Sequence, residues 1–273
     1  MSIEKIYIPT LGRATPEKQY TYKNLLSEKY QSRAIFVIQE SEKDLEFFQG
    51  KNTYVVPNGT YIDKKRELIT KHAGDSKFAV FDDDLSFYWK PDINVNKKEK
   101  CDEQALDSLF DLMSLWLDSI SSCGLGATYT PYKTGVEHEE NFRICLNVFY
   151  NGKTLPKDKI DWLSCPCAED FFVTLQLMEM GHSNKVSLRY LVSTIGGTNT
   201  PGGASLDRNL EKHNASMEFL KKRFPEAVSI NYEQLKDNKM GQGLPKAKAH
   251  IQWKKMYKLS EQKRKQLELF SQA

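Results

Sequence analysis

An apolar run that ends in three consecutive carboxylates, Phe78-Ala79-Val80-Phe81-Asp82-Asp83-Asp84, constrains this chain more than any other stretch. The run predicts a buried strand, and three adjacent negative charges at its end repel one another unless a cation lies among them. Alternate strand residues face one side, so Asp82 and Asp84 can turn toward a single ion. Their oxygens suit Mg²⁺ or Mn²⁺ and leave positions for phosphate oxygens. The plainer alternative is an acidic strand-to-loop turn, since Asp is common in turns.

The residues around this run alternate strand and helix signals, as a sheet with crossover helices does. Strands are predicted at 6–9, 34–38, 54–57 and 78–81, with helices over 17–28, 41–49 and 61–73 between them. Ligand groups at strand C-termini are where open α/β sheets bind. Further on, Leu106, Leu109, Phe110, Met113, Leu117 and Ile120 mark an amphipathic helix over 102–122 whose stripe is core. A strand over 143–150, a helix over 168–180 ended by Gly181, a mobile glycine-rich loop over 195–203 and a helix over 206–224 complete the reading.

At 273 residues with 40% apolar content, the chain is long enough for one catalytic domain, 1–235, followed by a tail, 236–273. The tail holds ten Lys and Arg against three acids, a net +7 that leaves −4 on the remainder of a chain whose total is +3. That asymmetry favours a polyanionic partner, with Trp253 and Tyr257 placed to stack or to pack. The alternative is a solvated helix burying Ile251, Leu259 and Leu267. Five cysteines without a C-x-x-C pair indicate neither a disulfide framework nor a zinc knuckle. Cys165-Pro166-Cys167 can bind a metal, but two thiols at this spacing without partners read rather as buried packing. No apolar segment approaches the length of a membrane helix, and the expectation is a cytoplasmic protein.

Three basic residues, Arg13, Lys65 and Arg66, fall on the predicted strand-end edge, where they can face a pyrophosphate or simply be solvated. Glu169-Asp170 opens a helix; the pair can supply a base or merely complement the helix dipole. His213 follows the glycine loop and is either a third metal ligand or a surface residue.

Together these pieces resemble the GT-A glycosyltransferases, in which an Asp-x-Asp motif holds metal and sugar nucleotide after a Rossmann-like half. More narrowly, Ile8-Pro9-Thr10-Leu11-Gly12-Arg13, the stretch from Asn58-Gly59 to Arg66, Phe81 to Asp84, Glu169-Asp170-Phe171 and Gly196-Gly197-Thr198 look like the phage-type branch similar to the TET/JBP-associated glycosyltransferases. The resemblance spans about residues 1 to 230. It implies an α/β GT-A fold, with a mostly parallel central sheet flanked by helices. It also implies metal at Asp82, Asp84 and His213, a nucleotide-sugar donor (first a UDP-sugar) against Thr10, Arg13, Lys65, Arg66, Asp82 and Asp83, and Asp170 with Glu169 as the catalytic pair that supplies the base. The implied acceptor is a hydroxymethylated pyrimidine in double-stranded DNA, reached in the groove or by flipping.

Rival readings keep the fold but take a protein or polysaccharide acceptor, or leave a nucleic-acid-binding protein without catalysis. Another sees Asp82-Asp83-Asp84-Leu85-Ser86 as the D-x-D-x-S/T motif of haloacid-dehalogenase-type phosphatases, which normally ends the first strand rather than a fourth.

Overall fold

Alternation within single strands sends side chains into two separate cores, one on each face of a ten-stranded sheet. In the computed structural model, residues 2–130, 134–195, 209–234 and 245–271 are described. The strands are β1 (Lys5–Pro9), β2 (Ala34–Gln39), β3 (Thr53–Val56), β4 (Lys77–Phe81), β5 (Leu85–Trp89), β6 (Glu99–Lys100), β7 (Ser122–Ala127), β8 (His138–Glu140), β9 (Asn147–Asn151), β10 (Asn184–Thr194), β11 (Val228–Glu233) and β12 (Lys246–Ile251). The helices are α1 (Tyr20–Asn24), α2 (Glu28–Gln31), α3 (Ile62–Ala73), α4 (Glu103–Trp116), α5 (Glu169–Glu179), α6 (Leu210–Arg223) and α7 (Trp253–Ser271).

The main sheet runs β3-β2-β1-β4-β9-β7-β10-β5-β6, with β8 paired to β10. Strands β1 to β4, β6, β7 and β10 point one way and β5, β8 and β9 the other, so the sheet is mostly parallel. Ile6, Ile8, Phe36, Ile38, Ala79 and Phe81 face α4, which contributes Leu106, Leu109, Phe110 and Met113. Tyr7, Val37, Phe78 and Val80 face the opposite layer with Ile69 of α3 and with Val173 and Leu177 of α5. Burial on both faces explains why these strands read as continuous apolar runs.

A third core joins the other side of α5 to the C-terminal segments: Phe172, Leu175 and Met178 pack with Met217 and Leu220 of α6, Ala247 of β12, and Trp253 and Met256 of α7. From residue 245 the described part of the tail forms a strand paired with β11 and continues as a helix seated on α5. The buried face of the helix is Trp253, Met256 and Ser260; of the residues expected there, Ile251 ends β12 and packs partly against the third core, Leu259 is half-buried, and Leu267 is 67% exposed. Among the described residues no helix is long and apolar enough to cross a membrane.

Other elements depart from the sequence expectation for local reasons. The helix expected over 17–28 is cut into a 3-10 turn, α1 and α2, because Leu26 takes a left-handed φ of +57° that a helix cannot continue through. The helix expected over 41–49 is two 3-10 turns. Strand β9 starts only at Asn147, after Leu146 at φ +66°. Strands β5, β7 and β10 were not anticipated; Gly124 and Gly126 dilute the strand signal of β7, where a Cβ at Gly124 would lie 3.0 Å from Ile144. The glycine-rich segment 196–203 and the expected start of the following helix at Leu206 lie outside the described residues; α6 is described from Leu210, capped by Asn209.

Candidate active site

The parallel strands β1, β2 and β4 end at one edge, and their exits carry the groups singled out above. The loop after β1 closes onto the acids after β4. Thr10 donates to Asp83 Oδ2 at 2.6 Å, and the Arg13 guanidinium pairs with Asp83 Oδ1 while its Nη1 lies 3.7 Å from Asp84 Oδ2. Gln19 holds that loop, donating to Thr10 Oγ1 at 2.9 Å and to the Arg13 carbonyl at 2.7 Å. Gly12, at φ +68°, donates its N–H to Glu42, which also accepts from the Gln39 N–H.

Helix α1 fixes the carboxylate turn itself. Thr21 donates its hydroxyl to the Asp82 carbonyl, accepts at 2.9 Å from the Leu85 N–H, and sends its own N–H to the Asp83 carbonyl. Asn24 reaches the Leu85 carbonyl at 2.9 Å. The end of β10 joins this frame, the Ile195 N–H donating to the Asp84 carbonyl at 3.0 Å.

On the other side, Arg66 of α3 is buried between two acids. Its Nη2 lies 3.3 Å from Asp82 Oδ1 and its Nε 3.2 Å from Glu169 Oε1 at the start of α5. Burial opposes the charged guanidinium, but Glu169, Asp82 and Asp170 outweigh it and raise the pKa. Asp170 is half-buried beside Glu169 and accepts from the Phe171 N–H at 2.8 Å. It lines a cleft with Arg66, Cys145, Tyr150, Trp162 and Thr174. The buried Trp162 Nε1 has no hydrogen-bond partner among the described residues, which leaves an indole donor in that cleft.

Lys65 does not face the edge as a phosphate ligand would. Its Nζ donates to the main-chain carbonyls of Thr10 and Val37 at 2.6 and 3.2 Å, and burial pushes its pKa down to about 8. His213 lies on α6 with Nε2 2.9 Å from the Ala247 carbonyl, in the seam between α6 and β12. Cys165 and Cys167 meet Ser216 of α6, in keeping with packing.

Negative charge exceeds its local compensation. Desolvation pushes Asp82 up to about 8, with Asp84, Glu169 and Asp83 adding and Arg66 opposing. Desolvation and then Asp83 push Asp84 up to about 6, against Arg13. Asp83 is raised by burial despite Arg13 and Thr10. Among the described residues no three His, Cys, Asp or Glu side chains are grouped to hold a metal, so Asp82, Asp84 and His213 do not form one set. Two hard-oxygen carboxylates in an under-neutralised cluster do fit Mg²⁺ or Mn²⁺ completed by phosphate oxygens. Asp82 keeps 31% side-chain exposure, and Asp84 is met by Arg13 only at 3.7 Å.

Residues 4–195, which carry all of this edge, match the TET-associated glycosyltransferase family. The chain belongs to that family. It is 30% identical over 207 residues, 70% of this chain and 72% of the relative, to the beta-glucosyl-HMC-alpha-glucosyl-transferase of Enterobacteria phage T6. The enzyme of the same name from Enterobacteria phage T2 is 30% identical over 89 residues, 33% of this chain and 31% of that one. Among solved structures, the inositol-1-phosphate CTP transferase from T. maritima aligns at a TM-score of 0.42 and 16% identity over 81% of this chain and 98% of its own. CMP:2-keto-3-deoxy-manno-octonic acid synthetase complexed with CTP aligns at 0.45 and 13%, over 73% and 94%. Family membership makes this TET-associated glycosyltransferase a transferase, and the phosphatase reading of Asp82 to Ser86 falls with it.

Sequence reasoning found Asp82 to Asp84, Arg13, Arg66 and Glu169-Asp170, but missed Gln19, Thr21, Asn24 and Glu42, the residues that hold them. Small polar residues in short loops carry no periodic signal, and Thr21 meets Asp82 from 61 positions away.

Proposed function

We propose that this glycosyltransferase moves a sugar, glucose first, from a nucleotide-sugar donor such as a UDP-sugar to a hydroxymethylated pyrimidine in phage-type DNA, working in the host cytoplasm. The observation that carries the reading is the 30% identity over 207 residues to an enzyme whose name specifies glucosyl transfer to glucosylated HMC. The cluster of acids at one sheet edge supports it.

Asp82 and Asp84 would hold Mn²⁺ or Mg²⁺, which supplies neutralisation of the charge on the departing diphosphate. The chain's own groups do the rest. The loop from Thr10 to Arg13, locked onto Asp83, forms the floor for the nucleotide. Arg66 holds Glu169 against Asp82, so Glu169 acts as a positioning residue. Asp170, half-buried in the cleft with Trp162, accepts the hydrogen bond of the acceptor hydroxyl. His213 would enter the metal shell only through a rearrangement of the α6 to β12 seam, and we leave it as a reserve ligand. The product anomer divides two roles for Asp170. An α-linked product from an α-linked donor retains configuration and makes Asp170 an orienting acceptor of the hydroxyl hydrogen bond, whereas a β-linked product makes it the in-line base.

The test is thermal stabilisation by a panel of nucleoside diphosphates with and without Mn²⁺, on wild type and Asp84→Asn, followed by mass spectrometry of hydroxymethylcytosine DNA, bare or β-glucosylated, after incubation with the matching donor. Metal- and Asp84-dependent stabilisation with a hexose added to either DNA is expected. A nucleotide response without added mass on either DNA would move the acceptor to protein or polysaccharide. No response to any nucleotide would overturn the reading.

A further inference from the structure

Helix α7 lies outside the region matched to the family, yet it is built into the site's support. Its first residue, Trp253, packs edge-on against Phe171 at a ring separation of 5.6 Å, one residue beyond Asp170. Eleven residues later, the Arg264 guanidinium lies against Gly181, just past the end of α5. Both contacts advance together, so α7 runs parallel to α5 and starts beside the acid pair.

The two faces of α7 differ in kind. Trp253, Met256 and Ser260 are buried against α5 and α6. On the opposite side Lys255, Lys258, Gln262 and Lys265 recur at intervals of three, four and three, and all four are exposed. Among the described residues, none of these three lysines takes part in an ion pair, while neighbouring Lys254 is held by Glu139. Glu261 and Glu268 fall on the flank by the same spacing, so no acid interrupts the stripe. From Lys255 to Lys265 the stripe is about 15 Å long, comparable to the rise of about four base pairs.

We propose that this outward face of α7 docks the phosphate backbone of duplex DNA and leads it to the acceptor end of the site. The proposal rests on the DNA-acceptor reading above for its purpose, though not for its physics. Three ammonium groups on one face of a helix, without an ion pair among the described residues, are complementary to a line of phosphates. They carry no apolar anchor between them that a folded protein partner would require. Contacts of this kind read no bases; they set register and orientation.

The test is anisotropy of a short labelled duplex against the full chain over a range of salt. Loss of one phosphate contact reduces the slope of log affinity against log salt by about 0.9. The triple variant Lys255→Gln, Lys258→Gln, Lys265→Gln is therefore expected to lower the slope by nearly 3, and Lys255→Gln alone by about 1. The melting temperature and its response to nucleoside diphosphate with Mn²⁺ should match wild type. An unchanged slope in both variants, or no duplex binding by wild type, would overturn the assignment. So would a loss confined to vesicles of anionic lipid, which would assign the stripe, with exposed Leu267 and Leu269 at its end, to a membrane surface. If wild type adds no sugar to hydroxymethylated DNA while the slope still falls, the docking face stands and the acceptor reading fails.

Discussion

Replacing Arg66 with Met distinguishes a structural cation from a phosphate ligand. Arg66 is 6% exposed and its guanidinium lies 3.3 and 3.2 Å from Asp82 and Glu169, so its removal leaves two carboxylates facing each other in a desolvated site. Removing one partner of a buried ion pair costs about 3–5 kcal/mol. With an unfolding entropy of about 2.1 cal/mol/K per residue, that loss lowers the melting temperature of a chain this long by about 5–9 °C. Because Mn²⁺ can replace part of the lost positive charge at Asp82, added metal should recover more stability in Arg66→Met than in wild type. Calorimetry of both proteins, with Mn²⁺ and with chelator, measures the two quantities. A variant that melts within about 2 °C of wild type and loses only nucleotide affinity would refute the reasoning, because it would show that Arg66 faces the donor and contributes little to holding the acids apart.

Asp170→Asn should lower kcat by about 10²-fold or more while leaving nucleotide-induced stabilisation intact, and single-turnover assays separate the two effects. Thr21→Val removes a hydroxyl bonded to both the Asp82 carbonyl and the Leu85 N–H; we expect a loss of about 1–3 kcal/mol by denaturant titration and a higher KM for the donor. Lys65 has a folded-state pKa near 8 against about 10.5 when unfolded, so the unfolded chain binds more protons between these values and stability attributable to Lys65 rises with pH across that window. The melting difference between wild type and Lys65→Met should widen in favour of wild type from pH 8 to 10.5; a difference flat in pH would refute it.

Local pattern determined much of this protein. Four apolar runs announce the parallel half of the sheet, three of them buried on both faces and the fourth, β3, a half-exposed edge strand. The carboxylates after Phe81 and the acid pair opening α5 are legible because charge placed directly against apolar sequence has few structural uses. Strands β5, β7 and β10 were not legible, since their pairing depends on neighbours distant in the chain and, in β7, on glycines that admit Ile144. The same limit governs the site. That Arg13 and Arg66 are basic residues near a strand edge is a matter of sequence; that Arg13 neutralises Asp83 while Arg66 spans Asp82 and Glu169 depends on where β1, α3 and α5 come to rest. Lys65 looks the same as Arg66 in the sequence, yet one helical position turns it away from the acids and onto main-chain carbonyls. The tail's charge could be counted from composition alone. Only packing on α5 decided which lysines face outward, because the hydrophobic effect chose Trp253 and Met256 as the inward face and left Lys255, Lys258 and Lys265 in water.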